Sequence, residues 1–150
     1  INVTVPALPF EKTEAGKVDA ALEAASDAIT AAASQNGDLK DALTVMNTQD
    51  GYAQNDTTIP GADIKAAAEA VIADTAAADG VTVKSVATKV TTAVNGQTDG
   101  AFEATITLAY EGTEKAMSAI TGVITPYVAP AAEAALSAAK TAIEGMTAAT

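Results

Sequence analysis

The sequence predicts an α+β fold: helices packed on a small antiparallel sheet of about three to four strands. Three observations predict it. Apolar residues recur at helical spacing near positions 18–29, 64–75 and 136–146. Between positions 81 and 124 the pattern changes to period two, as in strands with one buried face. Two of the helical stretches precede this region rather than alternating with it, which separates α+β from α/β.

Each element follows in chain order. Val3 and Val5 alternate with Asn2 and Thr4 until Pro6, a short strand signal. Pro9 and the charged Glu11, Lys12 and Glu14 read as a linker. A helix is expected over 14–34, with Val18, Leu22, Ala25 and Ile29 on one stripe and Asn36-Gly37 as its stop. Asp38 is placed to cap a short second helix carrying Leu39, Leu43 and Met46. Residues 47–58 are polar, with Asp50-Gly51 and Asn55-Asp56 as turn signals. Ile59 precedes Pro60 and is therefore extended. A third helix follows over 62–77, with Ile64, Ala68, Val71, Ile72 and Thr75 on its stripe, and Asp79-Gly80 ends it.

Three strands make an expected meander. Val81, Val83, Val86 and Val90 carry the first. Asn95-Gly96 turns the chain into the clearest strand, where Phe102, Ala104, Ile106, Leu108 and Tyr110 alternate with Glu103, Thr105 and Thr107. Glu111-Gly112 turns it again, into Ser118, Ile120, Gly122 and Ile124. Pro126 closes the strand, and Pro130 suits the first turn of a last helix carrying Leu136, Ala139, Ile143 and Met146. The expected organisation is a leading strand and linker (1–13), one α+β module (14–128), and a C-terminal helix (129–150) that would start a next repeat. The expected core is Leu22, Ile29, Ile64, Val71, Phe102, Ile106, Leu108 and Ile120.

The end of the chain repeats its beginning. At an offset of 114 residues, Ala20, Ala21, Leu22, Ala24, Ala25, Ala28 and Ile29 recur as Ala134, Ala135, Leu136, Ala138, Ala139, Ala142 and Ile143. Val3-Thr4-Val5-Pro6 is echoed more weakly by Val123-Ile124-Thr125-Pro126. Self-similarity of this kind points to a repeat array or an assembling module. Val3, Val5, Leu136 and Ile143 are accordingly the expected assembly residues.

Composition removes several function classes. The net charge is −11, from eight basic and 19 acidic residues, and every basic residue is lysine. That sign repels nucleic acid and anionic lipid, and arginine's bidentate phosphate reader is missing. Without histidine or cysteine, the chain lacks the usual general base, thiol nucleophile and transition-metal ligands. It is read as a non-enzyme with no cofactor. The start at Ile1 is that expected of a processed protein or an excised segment. No apolar run is long enough for a membrane span. Two weaker sites remain as candidates: a loose calcium site of Asp50, Asn55 and Asp56, and Tyr52 as a sugar platform.

Several segments in order carry a family resemblance: Thr58-Ile59-Pro60, Asp63-Ile64-Lys65-Ala66-Ala67, Gly80-Val81-Thr82-Val83, Thr98-Asp99-Gly100-Ala101-Phe102, and Ile120-Thr121-Gly122-Val123-Ile124-Thr125. The set, over about residues 57–126, resembles repeat modules of large secreted bacterial cell-surface proteins. The chain departs from them in the polar insert 47–57 and in a linker after Pro6 without counterpart after Pro126. The resemblance implies a secreted or cell-wall-associated module, often beside glycan-active domains, with no catalytic residues. Repeat and resemblance together give the expected function: a non-catalytic structural or assembly module of an extracellular surface protein, layer or filament. Its expected partners are neighbouring copies or adjacent modules. The alternative is a glycan- or host-ligand-binding module.

Overall fold

The computed structural model describes residues 14–149. The expected leading strand and linker, with Val3 and Val5, lie outside the described residues. Helix α1 (Glu14–Ser34) is followed by the short α2 (Asp38–Ala42), strand β1 (Thr44–Met46) and α3 (Ala62–Ala73). A 3-10 turn (Ala76–Ala78) leads into β2 (Thr82–Thr92), β3 (Gly100–Tyr110), β4 (Thr113–Ala116) and β5 (Ile120–Thr125); α4 (Pro130–Ala149) ends the chain. The class is α+β, as the period switch predicts.

The sheet runs β1-β5-β3-β2, with β4 also on β3. The three-strand meander is present, because β4 and β5 lie end to end along one side of β3 as a single interrupted strand. The interruption falls at residues 117–119, and its backbone shows why parity changes there. Met117 donates its N–H to Ile106 O at 2.8 Å and turns its side chain into the core, whereas Ser118, expected inward, is exposed. A second parity puzzle has the same answer. Val83 and Val86 are three residues apart yet both face inward, because a register shift between Val83 and Ser85 absorbs the extra residue.

The second helix is shorter than expected. It stops at Ala42, Gly37 rather than Asp38 is its N-cap, and Met46 is not on it. Thr44, Val45 and Met46 form β1 instead, parallel to β5, with Thr44 opposite Val123 and Met46 opposite Thr125. Two β-branched residues disfavour continuing the helix. β5 offers an unfilled edge, so Val123 N–H finds Leu43 O at 2.8 Å and Asn47 N–H finds Thr125 O at 2.8 Å. The sheet is therefore mixed rather than purely antiparallel. Met46, placed outward by this pairing, is 51% exposed.

The core lies between the inner face of the sheet and the helices. Leu22, Ala25 and Ile29 of α1, Ile64 and Ala68 of α3, and Phe102, Ile106, Leu108 and Ile124 of the sheet are all buried. Val71 and Ile120 are half-buried at its margin. Helix α1 lies against α3, the 3-10 turn, β3 and α2. Alanine dominates the helix faces, which lets backbones approach closely where large side chains are scarce. Gly122 shows the same economy in the sheet: the Phe102 ring occupies the space a Cβ would take.

Candidate assembly surface

Helix α4 contrasts with α1. It begins at Pro130, whose fixed φ suits a first turn. Every residue from 136 to 145 is exposed. Leu136 is 73% and Ile143 63% exposed, while Leu22 and Ile29, their counterparts 114 residues earlier, are 1% and 0%. A seven-residue spacing puts Leu136 and Ile143 on one helix face, two turns apart. That apolar stripe is one the same chain buries completely elsewhere.

A second exposed apolar group was only partly legible in the sequence. Met46 and Val123 sit on the outer face of the β1–β5 pair, and Tyr127 and Val128 follow in the segment joining β5 to α4. The parity of β5 could have flagged Val123. Nothing local could have flagged Met46, because its outward placement comes from a parallel pairing with residues 79 positions away.

The polar insert holds itself in place. Asn47 Oδ1 accepts from the N–H groups of Thr48 (3.1 Å) and Tyr52 (2.8 Å), and Gly51 N–H donates to Thr48 Oγ1 at 3.0 Å. Gly51 takes φ +79°, a left-handed conformation favouring glycine. The insert is stitched to β2, where Asn55 N–H donates to Val90 O and Val90 N–H to Asp56 O. Deeper in, the buried Thr88 hydroxyl donates to Ile59 O at 2.7 Å. Asn47, Thr48, Asn55 and Asp56 thus bond within the stretch or to the edge of β2.

This arrangement bears on both weaker candidates. Asp56 Oδ1 accepts from Thr58 N–H at 2.7 Å and Thr58 Oγ1 at 2.6 Å. The hydroxyl bond, with the backbone bond second, holds its carboxyl below the usual value. That oxygen closes a turn. Asn55 has φ +69° and is fixed by its backbone bond to β2. Among the described residues no three His, Cys, Asp or Glu side chains are grouped to hold a metal ion. Tyr52 is half-buried and packs against the core, so its ring is partly withdrawn from the surface.

Other concavities are shallow. One lies between α2 and α3 beside Asp38, Asp41 and Asp63, and another lies beside Glu69, Thr75 and Asp79. Lys84 is ion-paired to Glu114 across the β2 and β4 flanks of β3, and Lys65 to Glu69 along α3, both at the surface. Among the described residues no helix is long and apolar enough to cross a membrane. No protein-family model matches the chain, and no curated protein or solved structure shows significant similarity to it.

Proposed function

We propose that this chain is a non-catalytic structural module that assembles with copies of itself in an extracellular surface protein, layer or filament. One observation carries the reading: a helix stripe that the chain buries in α1 recurs in α4, where Leu136 and Ile143 are exposed. Large apolar side chains at helical spacing are normally covered. Met46, Val123, Tyr127 and Val128 are further exposed apolar residues, the last two in the segment that leads into α4. The acidic charge keeps such modules soluble and away from nucleic acid. The ordered segments resembling bacterial cell-surface repeats support an extracellular setting, and zero cysteine is compatible with one that does not rely on disulfides.

A glycan- or ligand-binding role is less well supported, because Tyr52 leans on the core. Two experiments test the proposal. Light scattering of the full chain across a concentration series is expected to show association, reduced by Leu136→Asp. Antibody against residues 14–128 is expected to label intact source cells without permeabilisation. A monomer at every concentration, or label found only inside the cells, refutes it.

A further inference from the structure

The repeat carries more than similarity once burial is laid over it. In α1, Val18, Ala21, Leu22, Ala25 and Ile29 are buried. At the corresponding positions of α4, 114 residues later, four of the five are unchanged and the fifth is alanine. The exposed positions of α1 between 17 and 30 are Lys17, Asp19, Glu23, Asp27 and Thr30. All five differ in α4, as Ala131, Glu133, Ser137, Thr141 and Glu144. Of the half-buried positions in this window, 20, 24 and 28 keep alanine and only Ser26 changes, to Lys140. Substitutions gathered on the face that is wet in α1, with the buried face kept, are those expected of a second helix shaped for the same groove. In α4 as it stands, Leu136, Ala139 and Ile143 of that kept face are exposed.

We propose that α4 is the first helix of a second copy of this fold, and that its Leu136 and Ile143 fill, in that copy, the groove α1 fills here. The inference rests on the assembly reading above and names its partner. The counterpart of the partner surface is visible in this structure, where α1 occupies it: it is the face made by α3, the 3-10 turn and β3, and the copy that takes α4 is one whose groove no α1 of its own fills. Within it, Ile64, Ala68, Ala78 and Ile106 are buried. Leu136 and Ile143 take the places of Leu22 and Ile29. Alanine at position 132 in place of Val18 leaves the first turn less filled. Only residues 126–129 separate β5 from α4, so a copy containing α4 sits directly beyond the end of the sheet. The exposed Tyr127 and Val128 then lie at the junction between copies. Pro126 restricts the conformations of that junction.

The test extends the full chain: Thr150 is replaced by a second copy of residues 36–128, which preserves the 114-residue register. Hydrogen exchange of residues 136–145 is compared in the original and extended chains. Protection of these amides is expected to rise roughly tenfold or more on extension. Leu136→Ala is expected to lower a thermal transition of the extended chain by roughly 5–15 °C, and to shift the original chain by little. Equal exchange in both chains, or an extended chain insensitive to Leu136→Ala, overturns the inference; an added copy that does not fold leaves α4 exchanging fast and counts against it equally. An extended chain that still associates while α4 exchanges fast overturns the α4 inference alone. Protected α4 amides in a chain that never associates and is confined inside the cell overturn only the assembly reading.

Discussion

Substituting Gly122 by alanine tests the packing of the sheet at its most crowded point. A Cβ at this position would meet the Phe102 ring and would lie 2.7 Å from Leu43 O. Neither neighbour can yield cheaply. Phe102 is fully buried in the core, and Leu43 O accepts the Val123 N–H bond that ties β1 to β5. Glycine to alanine ordinarily gains about 0.4–1 kcal/mol by restricting the unfolded chain. Against this, overpacking costs about 1–3 kcal/mol, and weakening the Val123–Leu43 bond about 0.5–1.5 kcal/mol. The balance is a loss of about 1–3 kcal/mol, or roughly 2–12 °C in Tm for a domain of this size. The assay is a pair of thermal melts, Gly122→Ala in the native background and in Phe102→Leu, where the smaller side chain leaves room for the methyl. The two changes are in contact and should couple by at least about 0.5 kcal/mol, with alanine costing less beside leucine. Gly122→Ala melting at or above the native temperature, or costing the same in both backgrounds, refutes the steric reasoning.

Three further outcomes follow from other contacts. Leu22→Ala should destabilise by about 2–5 kcal/mol while Leu136→Ala in the same chain changes stability by less than about 0.5 kcal/mol, read by urea unfolding; equal costs would contradict the contrast between α1 and α4. Thr88→Val keeps the shape but leaves Ile59 O without its hydroxyl donor, for a loss of about 1–3 kcal/mol by the same measurement; an unchanged midpoint would show that Ile59 O finds another donor. Asp56 has a folded pKa below its ordinary 3.8, so its contribution is complete above that value and lost as pH falls through the lower folded value. Thr58 N–H should therefore lose its exchange protection only in strongly acidic solution, and Asp56→Ala should remove the pH dependence; protection lost near neutral pH would contradict this assignment.

Local pattern determined much of this protein. Helical spacing in α1 and α3 and period two in β3 were sufficient for the α+β class, because burial on one face leaves its period in the sequence. Turn residues marked the ends of β2 and β3 and the start of β4. The repeat of Leu22 and Ile29 at Leu136 and Ile143 is wholly a sequence fact. What the tertiary structure decided is what depends on distant partners. Met46 reads as helical until β5, 79 residues away, supplies a parallel edge for Thr44 and Val45. Met117 rather than Ser118 turns inward because its N–H bonds to Ile106 and interrupts the strand. Asn55 and Asp56 carry ligand chemistry in the sequence but are taken up by β2 and Thr58 in the fold. Above all, the sequence presents the α1 and α4 stripes as equals. Only packing distinguishes them, since burial depends on which surface lies opposite, and that surface is assembled from α3, the 3-10 turn and β3, elements separated along the chain.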